Sequence, residues 1–438
     1  MSNVTEQVKK YFDEGPYPDI PLEMKGCRDL NDLYRWSLIT PFYRKYQKLI
    51  NTEGMKVLDV GCGSGFIALR IVEANAGISL TGVDLSPKSV EVAQARFEHH
   101  GYKEHKFMVM SAEDLPQLGE TYDYINCHET LYLLPDPLAG LKAMKAVLKP
   151  GGIIRANVHN RYQRREYLRM QELFQFLGVT EDCSLKTSIE LTRSFIECLK
   201  PFTSVRSFWE ASDKSDQYIT ANLILQGDKG FTVPETFALL EQADLEFIST
   251  TNWQFWNLFQ LFDDSKKLPE EFALILESAT EPQMLHLYEL IHPANRLFDF
   301  WCSHKDTPTT YSYPSLLSLE EWATKTIQVN PVVQDLRFAP EINLREALQI
   351  AITKSTPLPL NQYFSATSPE LISMNVDTCV VLYQLWEKPL PFPQVVDIWL
   401  KLRPLDPLTL QPRSLEQVAQ SLLPILVMLE DRSLILVT

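Results

Sequence analysis

The segment KVLDVGCGSGFIALRIVEA, residues 56–74, constrains this chain more than any other. A short apolar run leads into Gly61, Gly63 and Gly65, and a helical pattern follows at once. Glycine lets the backbone take positive φ and come close to a ligand where a Cβ would collide. Nineteen residues after Gly65, Asp84 ends the next apolar run, ISLTGVD, placed to accept hydrogen bonds from two ribose hydroxyls. Strand, glycine turn, helix, strand and acid in that order point to a nucleoside-containing ligand.

The rhythm continues. SPKSVEVAQARFEHHG reads as a helix with Ser86 as N-cap and Pro87 at its first position. HKFMVMSA, YDYINCHE and GGIIRANVH read as three further strands, and PDPLAGLKAMKAVLKPGG as a helix closed by its glycine pair. Alternating strands and helices predict an α/β fold, a mainly parallel, doubly wound, Rossmann-like sheet. LYRWSLITPFYRKYQKLI predicts one amphipathic helix within an N-terminal cap over residues 1–50. Charged helical segments over about 161–225 form an insertion, after which FTVPETFALLEQADLEFIS gives the last helix and strand of a domain spanning 51–262. Residues 263–438 read as helical, with capping boxes at Thr280/Gln283, Ser318/Glu321 and Ser414/Gln417 and a closing helix, turn and strand that suit a winged-helix-like module.

The glycine pattern separates two cofactor classes. Dinucleotide sites read GxGxxG, the third glycine packing the helix that faces the pyrophosphate. Here Phe66 stands at that position, the glycines read GxGxG, and Asp59 precedes the first by two residues. S-adenosyl-L-methionine (SAM) has no phosphate, so the third glycine has no role. Residues 55–158 resemble class I SAM-dependent methyltransferases through DVGCGSG, GVDLS, SAEDLP, YDYINCHETLYLLPDP and LKPGG, in that family's order. The resemblance implies a cofactor site of Asp59, Gly61, Cys62, Gly63 and Gly65, with Asp84 on the ribose, Leu85 against adenine, and Ala112 with Glu113 at the adenine edge.

A looser resemblance reaches further, to bacterial methyltransferases that carry a C-terminal methyltransferase regulatory domain, some of which methylate protein lysines. It rests on Tyr11, Tyr17, Pro18 and Pro21, similar to a YPxxPFP start, on NVHNRYQ with Asn160 and Tyr162, and on NRLFDFWCSH near Asn295. The chain departs from that group where HGVYSW becomes HETLYL and where Pro-Gly-Trp is missing after Tyr162. Tyr11 and Tyr17 are expected to close over the sulfonium, whose charge an aromatic face attracts. His128 as a base, Glu129 as a receiver of a substrate ammonium, and Tyr17 and Tyr162 as substrate contacts complete the expected catalytic set.

Composition narrows the partner. Residues 1–200 hold 25 Lys and Arg against 26 Asp and Glu, whereas residues 201–438 hold 16 against 30. An acidic second half argues against a nucleic-acid backbone as partner and suits a lysine-bearing protein. Seven scattered cysteines without a CxxC pair or zinc-spaced histidines read as reduced thiols, with no metal site. With neither a signal segment nor a run of about 20 apolar residues, a soluble, cytoplasmic protein is expected. The function expected is methyl transfer from SAM to lysine amines of a protein. The alternatives are a small-molecule O- or N-methyltransferase and a non-catalytic SAM-binding protein.

Overall fold

A computed structural model describes residues 13, 17–179, 183–225, 227–264, 267–335, 337, 343–365 and 372–438. The first strands and helices form where the hydrophobic pattern places them: β1 (Lys56–Val60), α3 (Phe66–Ala74), β2 (Ser79–Asp84), α4 (Pro87–His99), β3 (His105–Val109) and β4 (Tyr122–Cys127). Ser86 caps α4 by accepting from the Ser89 amide, with Pro87 in the first turn. α5 (Pro137–Ala146) stops short of the glycine pair, and LKPGG opens β5 (Leu148–His159) instead. Val147 already leaves the helix, and a register shift opposite Tyr122 and Tyr124 absorbs the extra residues.

The insertion is helical, as expected: α6 (Arg165–Phe176), α7 (Leu185–Cys198) and α8 (Ser204–Glu210), closed by a π-turn at Ile219–Leu223. It buries a small core of its own around Met170, Phe174, Ile196 and Trp209. α9 (Val233–Gln242), whose Thr232/Glu235 capping box forms, and β6 (Leu245–Thr250) follow.

One strand lies beyond the expected domain edge at residue 262. After α10 (Glu270–Ser278) and α11 (Glu281–Ile291), β7 (Leu297–His304) enters the sheet between β5 and β6 and antiparallel to both. The sheet order is β3-β2-β1-β4-β5-β7-β6. An inner strand covered on both faces shows no alternation of apolar and polar residues, so LFDFWCSH carries no period of two. Leu141, Leu240 and Leu285 cover one side of the sheet, and Ala68, Leu69, Phe97 and Phe42 the other.

The expected single N-terminal helix is two, α1 (Leu30–Trp36) and α2 (Ile39–Tyr46). Pro41 explains the break, because in a continuous helix its ring would meet the Ser37 carbonyl four residues back. α1 is a wedge more than a cap: Trp36 packs in the sheet's core, while Leu33 and Tyr34 belong to the core of the C-terminal part.

That part is mostly helical, with α12 (Leu344–Lys354), α13 (Val376–Glu387), α14 (Phe392–Leu402) and α15 (Leu415–Asp431). A small antiparallel sheet orders β9 (Leu390–Pro391), β8 (Thr326–Val329) and β10 (Ile435–Val437) around β8. Tyr34 bonds Ser433 at 2.9 Å, the Tyr43 hydroxyl donates to Glu430 at 3.1 Å, and the Arg44 guanidinium stacks between Trp253 and Tyr311. Among the described residues no helix is long and apolar enough to cross a membrane.

Across β5 and β7, the Arg155 guanidinium grips Asp299 with Nε at 3.1 Å and Nη2 at 2.7 Å while lying over the Trp36 ring. Breaking one side of such a buried pair strands the other charge. Arg155→Met is expected to cost about 3–5 kcal/mol, and Arg155→Met with Asp299→Leu to recover much of it. Urea denaturation of both variants measures this.

Candidate functional site

The carboxyl ends of β1, β2, β4 and β5 open on one cavity of about 600 Å³, a volume usual for a cofactor with its substrate. At one end lie Gly61, Cys62, Gly63, Asp84, Leu85, Met110 and Ala112. Gly61 and Gly63 have φ of +72° and +51°, a backbone region that favours glycine. The Gly63 amide donates to Asp84 Oδ2 and the Ser86 amide to Oδ1, both at 2.9 Å, so the carboxylate is held in place by backbone and each oxygen keeps a further lone pair. A fixed two-oxygen acceptor beside an apolar wall and a glycine turn without Cβ atoms fits the ribose, adenine and methionine portions of SAM.

The expected cofactor residues divide. Gly61, Cys62, Gly63, Asp84, Leu85 and Ala112 line the cavity. Asp59, Gly65 and Glu113 do not. Asp59 is buried beneath the loop, where Asn126 donates to its Oδ1 at 2.7 Å; desolvation raises its pKa to about 7 against the pull of that hydrogen bond. A Cβ on Gly65 would press on Ala93 of α4, so this glycine serves helix packing. Glu113 faces solvent in the first turn of a 3-10 helix. Tyr11 lies outside the described residues. Tyr17 lines the cavity from a strap whose carbonyl accepts from the Ser64 amide at 3.0 Å.

At the other end, β4 runs on through His128, Glu129 and Tyr132, β5 ends at His159, and Arg296 leads into β7. Glu129 sits at φ +57°, strained for a side chain with a Cβ, its amide held by Asn157 Oδ1 at 2.9 Å. An amide N–H only donates, so that contact fixes the Asn157 orientation and aims its Nδ2 at His128 Nδ1, 2.8 Å away. Nδ1 therefore accepts and the His128 proton sits on Nε2. His159 is the reverse: Nδ1 lies 2.9 Å from the Asp228 carboxylate and donates to it, and Nε2 accepts from Arg296 Nη1 at 3.0 Å. Neither imidazole keeps a free lone pair, and the base role expected of His128 has no geometry here. Burial, with Arg155 adding to it, pushes the His128 pKa down to about 4.

Glu129 binds Arg296 through both oxygens and accepts from the Tyr132 hydroxyl at 2.9 Å. Burial alone would raise its pKa, but the Arg296 bonds and charge hold the carboxyl at about 2. Tyr132 stacks on His159 with ring centres 3.9 Å apart. The insertion closes this end with Ala221, Asn222 and Leu225, and Arg164 bonds both Asn222 and Asp228. Lys229 donates to the Leu134 and Pro135 carbonyls at 2.7 and 2.8 Å, clasping the segment after β4.

Tyr162 is not brought in. Asn160 Oδ1 accepts from the Tyr162 and Gln163 amides, and Tyr162 is left exposed and outside the cavity lining. His159, Tyr132 and Arg296 occupy the site although each stands one to three residues from a residue singled out in the sequence. The signal was there: β5 alternates, so the side chain aimed at the cavity is set by register within NVHNRYQ and not by the polar pair after it.

Comparison with known proteins agrees with this geometry. Residues 51–217 match the model of a methyltransferase domain. An uncharacterized protein of Synechococcus is 24% identical over 311 residues, 70% of this chain and 73% of its own. The ubiquinone biosynthesis O-methyltransferase of Actinobacillus pleuropneumoniae is 36% identical over 131 residues, 28% of this chain and 55% of its own, so the chain spans about half of that relative. PKMT2 from Rickettsia typhi in complex with AdoHcy shares the fold over 96% of this chain and 77% of its own, with TM-score 0.59 and 17% identity. Residues 51–217 carry a SAM-dependent methyltransferase domain, and SAM is its cofactor.

Two outcomes follow. Asp84→Ala is expected to weaken SAM binding at least about tenfold, the loss from one charged hydrogen-bond acceptor, in titration calorimetry. His128 is expected to stay neutral and Nε2-protonated from pH 8 to 5.5 by imidazole 15N shifts. Because its folded pKa lies below the unfolded value, the unfolded chain binds more protons under pH about 6.5, and stability falls from there toward pH 4.

Proposed function

We propose that this methyltransferase domain methylates amine nitrogens, with lysine side chains of a protein as the acceptors. The observation that carries this reading is what the acceptor end does to ionisable groups. Burial, reinforced by Glu129, raises the pKa of Tyr132, so a phenol here stays protonated. Burial lowers the pKa of the two histidines, so nitrogen bases here stay neutral. A neutral amine is a nucleophile and a neutral phenol is a poor one. With both imidazoles committed, neither His128 nor His159 can ionise a phenol.

When bound, SAM supplies an electrophilic methyl group on a positive sulfonium. An entering amine forms its N–C bond as the S–C bond breaks, with the bonding pair returning to sulfur. Positive charge thereby moves onto nitrogen, and the Glu129 carboxylate at this end of the cavity stabilises it there. The product ammonium sheds its proton to water. A lysine with reference pKa of roughly 10.4 is neutral about once in 2,500 molecules at pH 7, so selecting the neutral amine is the demand this environment meets.

Protein as the acceptor is supported by the fold likeness to PKMT2 over nearly the whole chain, by the helical insertion that lines the cavity, and by the acidic second half. Identity to a ubiquinone biosynthesis O-methyltransferase over the core motifs favours a second reading, a small-molecule acceptor.

Incubation of the purified protein with methyl-labelled SAM and a cell lysate is expected to label protein bands that hydrolyse to methyllysine. Label confined to metabolites would discard the protein acceptor. Glu129→Gln is expected to lower kcat about a hundredfold, against a change of at most about tenfold in SAM affinity.

A further inference from the structure

A half-buried carboxylate facing an amine acceptor creates a difficulty, because left unpaired it would hold the acceptor as an unreactive ammonium. We propose that Arg296 sets acceptor specificity by offsetting the Glu129 charge, so that the site admits the neutral amine, and that His159 and Asp228 are positioning residues for the guanidinium.

The geometry is directional. Arg296 Nη1 reaches Glu129 Oε2 and His159 Nε2 at 2.9 and 3.0 Å, and Nη2 pairs with Oε1. The His159 lone pair is available to Arg296 only because Nδ1–H is spent on Asp228, whose side chain is wholly out of solvent and also meets Arg164 at 3.4 Å and Gln171 at 3.3 Å. Arg164 and Gln171 belong to the insertion. The guanidinium is thus steered through His159 by the insertion, which also lines the cavity. Arg296 keeps 44% of its side chain exposed, so the pair is approachable from the cavity. Tyr132 holds the Glu129 oxygen from the other side.

This assignment rests on the amine reading but has a readout without an acceptor. SAM and S-adenosylhomocysteine (SAH) differ by one methyl group and one positive charge, so the ratio of their Kd values reports the potential in the cavity. Arg296→Met leaves an unpaired carboxylate and is expected to shift the ratio about tenfold in favour of SAM, whereas Glu129→Gln leaves an unpaired guanidinium and shifts it about tenfold toward SAH. The double variant is expected to return to within about twofold of wild type. Arg296→Lys is expected to restore most of the wild-type ratio. His159→Leu, which changes no charge, is expected to move it in the Arg296→Met direction by a smaller step. A purely structural role for His159 would lower thermal stability and leave the ratio unmoved.

In a second arm, n-butylammonium at pH 7 is expected to bind the SAH complex of Arg296→Met about tenfold tighter than that of wild type. Ratios unchanged in both single variants, or shifted the same way in both, would overturn the assignment. Opposite shifts without labelled protein in the lysate would remove the lysine reading and leave Arg296 in its role.

Discussion

The reversed strand β7 is the constraint on which the acceptor end depends. In a parallel sheet the ligand edge receives the carboxyl ends of the strands, so a seventh parallel strand would present its last residues there. Because β7 runs antiparallel to β5, with His159 opposite Leu297, its first residue arrives at that edge and Arg296 is delivered beside His159. The same register sets Asp299 where Arg155 can grip it, so the site cation Arg296 is anchored by a buried ion pair three residues further along. Moving the pairing by one residue would turn both side chains to the opposite face.

From that placement the electrostatics of the cavity follow. The carboxylates of Asp84, Glu129 and Asp228 are each committed differently. Asp84 is fixed by backbone amides, Glu129 by a guanidinium and a phenol, and Asp228 by an imidazole and Arg164. Asn157 links two functions in one amide, since its oxygen holds the strained backbone at Glu129 and its nitrogen dictates the tautomer of His128. A pocket organised this way exerts its chemistry through fixed dipoles and charges that need no rearrangement when a substrate enters.

Much of this was legible in the residues. The glycine turn, Asp84, the N-caps at Ser86 and Thr232 and the later capping boxes are local signals, decided within a few residues, and the structure forms them. What was not legible is non-local. LFDFWCSH shows no strand period because helices cover both of its faces. The break between α1 and α2 turns on one proline ring against a carbonyl one turn back. Tyr162 stood out by its neighbours, while His159 and Arg296 became site residues only through the pairing of strands more than a hundred residues apart. Asp59, beside the glycines in sequence, points into the protein because alternate residues of a strand face opposite ways.

The glycine turn itself answers to more than its ligand. A Cβ on Gly63 would run into the Tyr17 carbonyl, and one on Gly61 into the Thr130 side chain, both atoms of the protein itself. The turn is therefore a socket for the N-terminal strap before anything else occupies it. A descendant of this chain that had abandoned catalysis would still be obliged to keep Gly63 for as long as the strap stayed seated, and Gly61 for as long as Thr130 held its place. The fingerprint is an heirloom of the architecture, and only together with a free, oriented Asp84 does it testify to chemistry still in use.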